Sequence, residues 1–214
     1  MGKIKIIFFD FDGTISDAKR VSYESLVSVL ERNGYKFSKS KARKLLGEKM
    51  HKIFKELKVP EDQISKIKKE FFKEMVKGVK QNKIKLCISV KPLIKLKEKY
   101  KLIVISNSES SFILASAKKL KVDKLFDKIY TAEDFTTKDE FLKKLFKKYK
   151  IKPDEAIYIG DRFSDIRYAK KAGCIAVAIH NKCSWSTLKE IIREKPDFLI
   201  RDFRGLQAIC SRYS

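Results

Sequence analysis

Two aspartates separated by one residue follow directly on an apolar run near the start of the chain. The segment is Asp10-Phe11-Asp12-Gly13-Thr14, and the run before it is Ile4 to Phe9, in which Lys5 is the one polar residue. Near-continuous β-branched and aromatic residues are typical of a strand buried on both faces of a parallel sheet. If the chain stays extended through Asp12, the two-residue period of a strand places both aspartates on one side. The sequence therefore predicts two carboxylates in one small volume at a strand end.

Two neighbouring carboxylates imply chemistry with a cation or a shared proton, because their repulsion otherwise disfavours the doubly ionised pair. Gly13 allows a sharp turn or the close approach of a ligand, and Thr14 adds a hydroxyl and a backbone N–H. A calcium-binding EF-hand starting at Asp10 would need Gly at position 15 and Glu at 21, where this chain has Ile15 and Val21. That class of site is excluded. An ordinary turn after a strand remains the alternative for this segment alone.

Further polar residues lie just past later predicted strands or just before the next helix. They are Ser106, Lys138 and Asp161. In open α/β sheets, ligands bind at the carboxyl ends of the strands, near the point where the strand order reverses. We therefore expect these side chains to converge on Asp10. Thr137 and Glu140 also fit a capping box, which would place Lys138 in the first helical turn, where a cation indicates a local anion.

Two hydrophobic periodicities divide the chain. Apolar residues at helical spacing predict four helices between positions 17 and 88, beginning near Ser16 or Asp17, Ser38 or Ser40, Glu48 and Pro60. From Ser89 onward, strands alternate with helices, which indicates a parallel sheet. The predicted strands are 102–105, 129–131, 156–159, 175–179 and 198–200, and the predicted helices are 92–100, 111–120, 139–149, 164–172 and 186–194.

These elements predict an α/β fold: a Rossmann-like doubly wound parallel sheet with an inserted α-helical cap domain. We expect the α/β core domain to comprise residues 1–16 and 89–214, and the cap domain residues 17–88. Because the helices begin soon after Thr14, they would lie over the carboxyl ends of the strands as a lid.

The charge favours anionic ligands without selecting a nucleic-acid surface. Fifty Lys and Arg residues against 27 Asp and Glu residues give a net charge of +23. Nucleic acid, a membrane surface or an anionic substrate would each suit this charge. The lysines are scattered through nearly every predicted helix, which favours a solvated surface. Nucleic acid stays open as a partner but is not favoured.

The cysteines and the hydropathy profile predict a cytoplasmic protein. Reduced thiols, three of them in the core, are expected because no CxxC or Cys/His metal spacing occurs among Cys87, Cys174, Cys183 and Cys210. The sequence leads from Met1-Gly2-Lys3 into a strand, which predicts no signal peptide, and no apolar run approaches the ~18 residues of a membrane span. We expect no membrane partner, and a monomer or a weak dimer.

The motifs and their order resemble the haloacid dehalogenase superfamily, in particular its phosphoglycolate-phosphatase-like branch with a helical cap. DFDGT at 10–14 is similar to the first motif, IVISN at 103–107 to the second, Lys138 to the third and GDRFSD at 160–165 to the fourth. The resemblance covers essentially the whole chain. It departs from the family after Lys138, where prolines are frequent and this chain has Asp139 and Glu140.

The resemblance implies a magnesium-dependent phosphatase that acts on a small phosphorylated metabolite. Asp10 would be the nucleophile that forms an aspartyl phosphate. Asp12 would protonate the leaving oxygen and then take a proton from the attacking water. Ser106 would bind a phosphoryl oxygen, and Lys138 would neutralise charge on the phosphoryl group and on Asp10.

The resemblance also implies the ligands of the metal and of the substrate. Mg²⁺ would be held by oxygens of Asp10, Asp12, Asp161 and Asp165. The substrate would be held by Gly13, Thr14, Asn107 and, near a turn of the cap, Arg43 and Lys49. His51 is a weaker candidate that could reach the site or lie on the surface, and Trp185 is expected to serve packing.

Other functions stay open on the sequence alone. A phosphosugar mutase would use the same nucleophile and return the phosphate to another hydroxyl. The charge also suits a phosphatase acting on nucleotides or nucleic-acid ends. A non-catalytic phosphate-binding module would keep the fold without the reaction, although the complete set of site residues speaks against it.

Overall fold

The apolar run at the start of the chain forms the central strand of a parallel sheet. In the computed structural model, which describes residues 3–213, strand β1 (Ile6–Phe9) has four buried side chains. Ile6 and Phe8 face one apolar cluster, and Ile7 and Phe9 face the other, because side chains alternate along a strand. With both faces covered, the strand has no solvated side and therefore no polar alternation.

Four helices lie between two short strands that follow the DFDGT segment. Strand β2 (Ser16–Asp17) pairs antiparallel with β3 (Lys85–Leu86), so the chain leaves and rejoins the sheet region at one place. Between these strands lie α1 (Lys19–Arg32), α2 (Lys39–Leu45), α3 (Met50–Glu56) and α4 (Glu61–Lys80). The four predicted helices are therefore confirmed.

Of the N-caps predicted for the first two helices, one is wrong and one is confirmed. The cap predicted at Ser16 or Asp17 is wrong, because both residues belong to β2 and α1 begins after Ala18 without a side-chain cap. The cap at Ser38 is confirmed, since its Oγ accepts a hydrogen bond from the backbone N–H of Lys41 at 3.2 Å.

The rest of the chain alternates helices and strands. In order, the elements are α5 (Lys91–Lys97), β4 (Lys101–Ile105), α6 (Ser110–Lys119), β5 (Lys128–Tyr130), α7 (Lys138–Tyr149), β6 (Ala156–Gly160), α8 (Phe163–Ala172), β7 (Ile175–Ile179), α9 (Leu188–Arg193), β8 (Phe198–Ile200) and α10 (Phe203–Ser211). Each predicted strand is present. Helix α10 was not predicted, although Asp202 caps it through the backbone N–H of Arg204 and its apolar residues recur at helical spacing.

The six long strands form one parallel sheet in the order β5-β4-β1-β6-β7-β8. Apolar side chains of α7, α8 and α9 cover one face of the sheet, and those of α5, α6 and α10 cover the other. The predicted doubly wound fold with inserted helices is confirmed. One apolar cluster runs from the sheet into α1–α4, and the division into domains at residues 16/17 and 88/89 stays a prediction.

The strand order determines where the motifs meet. β1 lies between β4 and β6, and the chain reaches these two neighbours on opposite sides of it. The carboxyl ends of the three strands therefore carry Asp10, Ser106 and Asp161 to one edge of the sheet, beneath α1–α4. Over residues 3–213, no helix combines the length and the apolar character needed to cross a membrane.

Candidate active site

Asp10 lies directly after β1 and pairs with a buried lysine. Lys138, the first residue of α7, donates from Nζ to Asp10 Oδ1 at 2.6 Å, to Tyr158 Oη at 2.7 Å and to Asp165 Oδ1 at 2.9 Å. The three protons of the ammonium thus have three acceptors. Burial opposes the charged form, but Asp10 and Asp165 raise the pKa of Lys138 well above its ordinary value. Lys138 is therefore a permanent cation inside the carboxylate cluster.

The capping box predicted around Lys138 does not form. Thr137 occupies the N-cap position of α7, but its Oγ1 is buried without a hydrogen-bond partner among the described residues. The placement of Lys138 in the first turn was nevertheless correct. The anions that hold it there are Asp10 and Asp165, so the indication of a local anion is confirmed.

Three carboxyl groups form a buried cluster of oxygen ligands. One carboxylate oxygen each from Asp10, Asp161 and Asp165 lies within 4.8 Å of the others. Burial first, and then repulsion from Asp165, raise the pKa of Asp10 from 3.8 to about 6 despite Lys138. Burial, Asp10 and Asp165 likewise raise the pKa of Asp161 well above its ordinary value. One ammonium therefore does not compensate this cluster, and a hard divalent cation with oxygen ligands fits it.

The fourth motif is connected to the first motif through Asp161 and to the third motif through Asp165. Asp161 accepts a hydrogen bond from Thr14 Oγ1 at 3.1 Å and one from the backbone N–H of Trp185 at 2.6 Å. Asp165 accepts from the backbone N–H of Arg162 at 3.1 Å as well as from Lys138. These donors fix the direction of both carboxylates, so the cluster is held in place before any ligand binds.

Asp12 has one oxygen bound and one oxygen unused. Ser108 Oγ donates to Asp12 Oδ2 at 2.7 Å, while Oδ1 is buried and has no partner within residues 3–213. Burial and then the charge of Asp10 raise the pKa of Asp12 from 3.8 to about 7. A carboxyl group that lines the cleft and has a pKa near neutrality can both give and take a proton, as acid–base catalysis requires.

The second motif supplies polar groups on the other side of Asp10. Ser106 is buried and Asn107 is half-buried, and both line the cleft that contains Asp10 and Asp12. Ser106 Oγ accepts a hydrogen bond from the backbone N–H of Ser108 at 3.1 Å. Its own hydroxyl proton is therefore available to a ligand oxygen in the cleft.

The predicted cap residues lie at the margin of the site. Lys49 Nζ donates to the backbone carbonyl of Thr136, and burial together with Lys138 lowers its pKa. The guanidinium of Arg43 lies 4.6 Å from the ring centre of Tyr23, in an outer cavity. His51 lies on the surface, with Nε2 3.2 Å from Glu61 Oε1. None of these three residues lines the cleft around Asp10 in the described part of the chain.

Several residues of the site were not predicted from the sequence. They are Ser108, Tyr158, Arg162 and Trp185, of which Trp185 was expected only to pack. Arg162 and Ser108 lie within or beside motifs and could have been found there. Tyr158 and Trp185 carry no local signal, because their roles depend on which helix or loop faces them.

Comparison with known proteins agrees with the geometry. The family description of haloacid dehalogenase-like hydrolases matches residues 7–179. The protein assigned as pyrophosphatase PpaX in Caldanaerobacter subterraneus is 30% identical over 97% of this chain and 94% of its own length. Pyrophosphatase PpaX of Bacillus mycoides is 24% identical over 98% of each chain.

A solved structure shares the whole fold. The crystal structure of a predicted phosphoglycolate phosphatase from Haemophilus somnus superposes with a TM-score of 0.82 and 23% identity, covering 98% of this chain and 99% of that one. At this identity the likeness establishes the fold, while the family match rests on the sequence. With its four motifs gathered at one edge of the sheet, the chain belongs to the haloacid dehalogenase-like hydrolases.

Proposed function

We propose that this protein is a magnesium-dependent phosphatase that hydrolyses a small phosphomonoester through an aspartyl phosphate on Asp10. The proposal rests on one observation: Asp10 and Asp12 differ in their hydrogen-bond partners and in their surroundings. Asp10 is bound to a permanent cation, whereas Asp12 has one oxygen without a hydrogen-bond partner among residues 3–213 and a pKa raised to about 7. One carboxylate is thereby suited to attack phosphorus and the other to move a proton.

In the first half-reaction, Asp10 attacks phosphorus in line with the leaving oxygen. The P–O bond to the leaving group breaks, and Asp12 gives its proton to that oxygen. Ser106 and the backbone N–H groups of Thr14 and Asn107 hold the phosphoryl oxygens, whereas the predicted contact of Gly13 is not available, because its backbone N–H already donates to the carbonyl of Ser16 at 2.8 Å. Lys138 holds Asp10 in place and offsets part of the negative charge.

In the second half-reaction, water attacks the phosphorus of the aspartyl phosphate. Asp12, now ionised, takes a proton from that water, and the bond between phosphorus and Asp10 breaks. Inorganic phosphate leaves, and Asp12 again carries the proton with which the cycle began. The overall reaction consumes one water and produces an alcohol and phosphate.

Asp10, Asp161 and Asp165, with the backbone carbonyl of Asp12, would hold Mg²⁺. Their fit is supported by the oxygen-only ligand set and by raised pKa values that one lysine does not correct. When bound, Mg²⁺ would neutralise charge that develops on the phosphoryl oxygens. Thr14 and Trp185 orient Asp161 for this purpose.

The relatives support a phosphorylated small molecule as the substrate, since their names give pyrophosphate and phosphoglycolate. We place the activity in the cytoplasm, because the four cysteines are buried thiols and form no disulfide within the described residues. The expectation of a monomer or a weak dimer stays a prediction.

The test is phosphate release by the purified protein with Mg²⁺ from a panel of phosphomonoesters. Asp10→Asn should lower turnover by about four orders of magnitude while the protein still folds and unfolds in one thermal transition. Asp123→Asn, the same change at an exposed position, should keep full activity. Acid-quenched wild-type protein should carry labelled phosphate, and Asp10→Asn should carry none.

Full activity of Asp10→Asn would contradict the mechanism. A product mixture that retains organic phosphate and releases little free phosphate would instead identify a mutase. Turnover of an oligonucleotide 3′- or 5′-phosphate far above that of small esters would identify a phosphatase of nucleic-acid ends.

A further inference from the structure

The wall of the cleft that faces the catalytic aspartates from α1–α4 is largely apolar. Its apolar members come from the α2–α3 loop, α3 and α4, and they are Leu46, Met50, Phe71, Phe72 and Met75. Four of them are buried and Met50 is half-buried. These side chains lie opposite the phosphoryl site, where the leaving group of a substrate must extend.

The polar groups that α1–α4 and their loops add to the same cleft are few and carry no positive charge. Ser22 contributes a hydroxyl from α1, and Glu48 contributes a carboxylate. In the described part of the cap, no lysine or arginine lines this cleft, and Lys49 is bound to the carbonyl of Thr136 outside it. A leaving group that carried a negative charge would find no unpaired cation on this side, where the carboxylate of Glu48 is itself paired with Arg162.

Among the described residues, two cations line the cleft, and both are paired with carboxylates. Lys138 has its three N–H groups on Asp10, Asp165 and Tyr158. Arg162 donates from Nη1 to the carbonyl of Leu46 at 3.0 Å and from Nη2 to Glu48 Oε1 at 2.9 Å. Its Nε is buried without a partner among the described residues, but the ion pair with Glu48 cancels the charge that would attract a second anion.

We infer that the substrate has an uncharged leaving group with an apolar part, such as a short alkyl or aryl alcohol, and has no second phosphate or carboxylate there. This inference rests on the proposed phosphatase function and specifies its substrate class. Hydrolysis releases the alcohol and inorganic phosphate. The leaving group packs on the wall formed by Met50, Phe72 and Met75, and its distal end displaces water from apolar surface.

The first test compares esters on the wild-type protein with Mg²⁺. Along methyl, ethyl, propyl and butyl phosphate, kcat/KM should rise roughly fourfold per methylene, because each one buries further apolar surface. The kcat/KM of butyl phosphate should exceed that of 4-phosphooxybutanoate, which has a carboxylate in place of the terminal methyl group, by about a hundredfold. The kcat/KM of butyl phosphate should likewise exceed that of pyrophosphate, although phosphate is chemically a better leaving group than butanol.

The second test changes the wall at its half-buried position, which tolerates a polar side chain better than the buried ones. Met50→Lys should lower kcat/KM for butyl phosphate about tenfold and raise it for pyrophosphate about tenfold. Met50→Gln has a similar length and no charge. It should also lower kcat/KM for butyl phosphate, but it should not raise kcat/KM for pyrophosphate. A gain on pyrophosphate in both variants would show that polarity and not charge had limited its binding, and would overturn the inference.

The outcomes separate the two proposals. Pyrophosphate or 4-phosphooxybutanoate turned over as well as butyl phosphate would overturn the apolar leaving group and leave the phosphatase function standing. A flat alkyl series would do the same. Phosphate release from none of the compounds would overturn the proposed function and this inference together.

Discussion

Gly13 and Asp161 lie so close together that no side chain fits between them. A Cβ on Gly13 would lie 2.4 Å from Asp161 Oδ2 and 2.2 Å from Trp185 Cδ1. Gly13 also has a φ of +90°, which residues with a side chain rarely adopt. The glycine of the first motif is therefore required by the carboxylate of the fourth motif, at the position where that carboxylate would bind metal.

Gly13→Ala is expected to disturb the site in two ways: the alanine strains the backbone at positive φ, and its Cβ also displaces Asp161. The displaced Asp161 should lower Mg²⁺ affinity and kcat by at least about tenfold, and the clash should lower stability by about 1–3 kcal/mol. Gly34→Ala is the matched control, because Gly34 has a φ of +77° and open space around the missing Cβ. Activity assays and thermal unfolding of both variants measure the difference, and equal activity in the two would contradict the crowding of Asp161.

Lys138 is expected to be needed for the fold of the site as well as for catalysis. Lys138→Met leaves Asp10 and Asp165 buried without their cation, which should cost about 3–5 kcal/mol of unfolding free energy in the absence of Mg²⁺. Turnover should fall by at least about a hundredfold. Lys144→Met, at an exposed position of the same helix, should change neither quantity. Denaturant unfolding and phosphate release are the measurements, and a fully stable Lys138→Met would refute the role as counter-ion.

The carboxyl cluster predicts a pH dependence of stability with a definite sign. Burial, followed by repulsion between carboxylates, raises the pKa from 3.8 to about 6 for Asp10 and to about 7 for Asp12. Between the ordinary value and these values, the folded protein binds more protons than the unfolded chain. Without Mg²⁺, stability should therefore fall as the pH rises from about 4 to about 7.

Mg²⁺ is expected to reverse that loss, since it binds the ionised carboxylates. The increase in melting temperature on adding Mg²⁺ should be larger at about pH 8 than at about pH 5. Asp12→Asn, which removes one of the raised pKa values, should flatten the metal-free profile. Calorimetry across this pH range measures both effects. Metal-free stability that rises steadily with pH would contradict the raised pKa values of Asp10 and Asp12.

Arg162 is expected to position the α2–α3 loop over the cleft. Its guanidinium binds the carbonyl of Leu46 and the carboxylate of Glu48, and a Cβ on Gly47 would lie 1.7 Å from its Nη1. Arg162→Met should raise KM about tenfold and speed hydrogen exchange of residues 44–50. Arg167→Met, in the helix α8 that Arg162 precedes, removes an exposed ion pair with Glu194 and should change neither KM nor the exchange of the loop. Unchanged exchange of the loop in Arg162→Met would exclude this positioning role.

The fold was accessible from the sequence because its signals are local. The run Ile6–Phe9, the strand–helix alternation after Ser89 and the helical spacing between β2 and β3 depend on residues that are neighbours in the chain. The sequence-based predictions were wrong where tertiary contacts override the local conformational preference of a residue. Ser16 and Asp17 look like helix caps, but they pair with Leu86 and Lys85 in a two-stranded ribbon.

The sequence by itself determined the residue types of the candidate site: two aspartates after a central strand, a serine, a lysine and two further aspartates, each just past a strand or at the start of the next helix. Only the tertiary structure decided how they are used. Lys138 and Asp10 are 128 positions apart, and Arg162 and Leu46 are 116 apart, so strand order and helix rotation create these contacts. The same holds for the apolar wall, because the positions at helical spacing in α4 predict burial without showing that part of this face borders the cleft around Asp10 and Asp12.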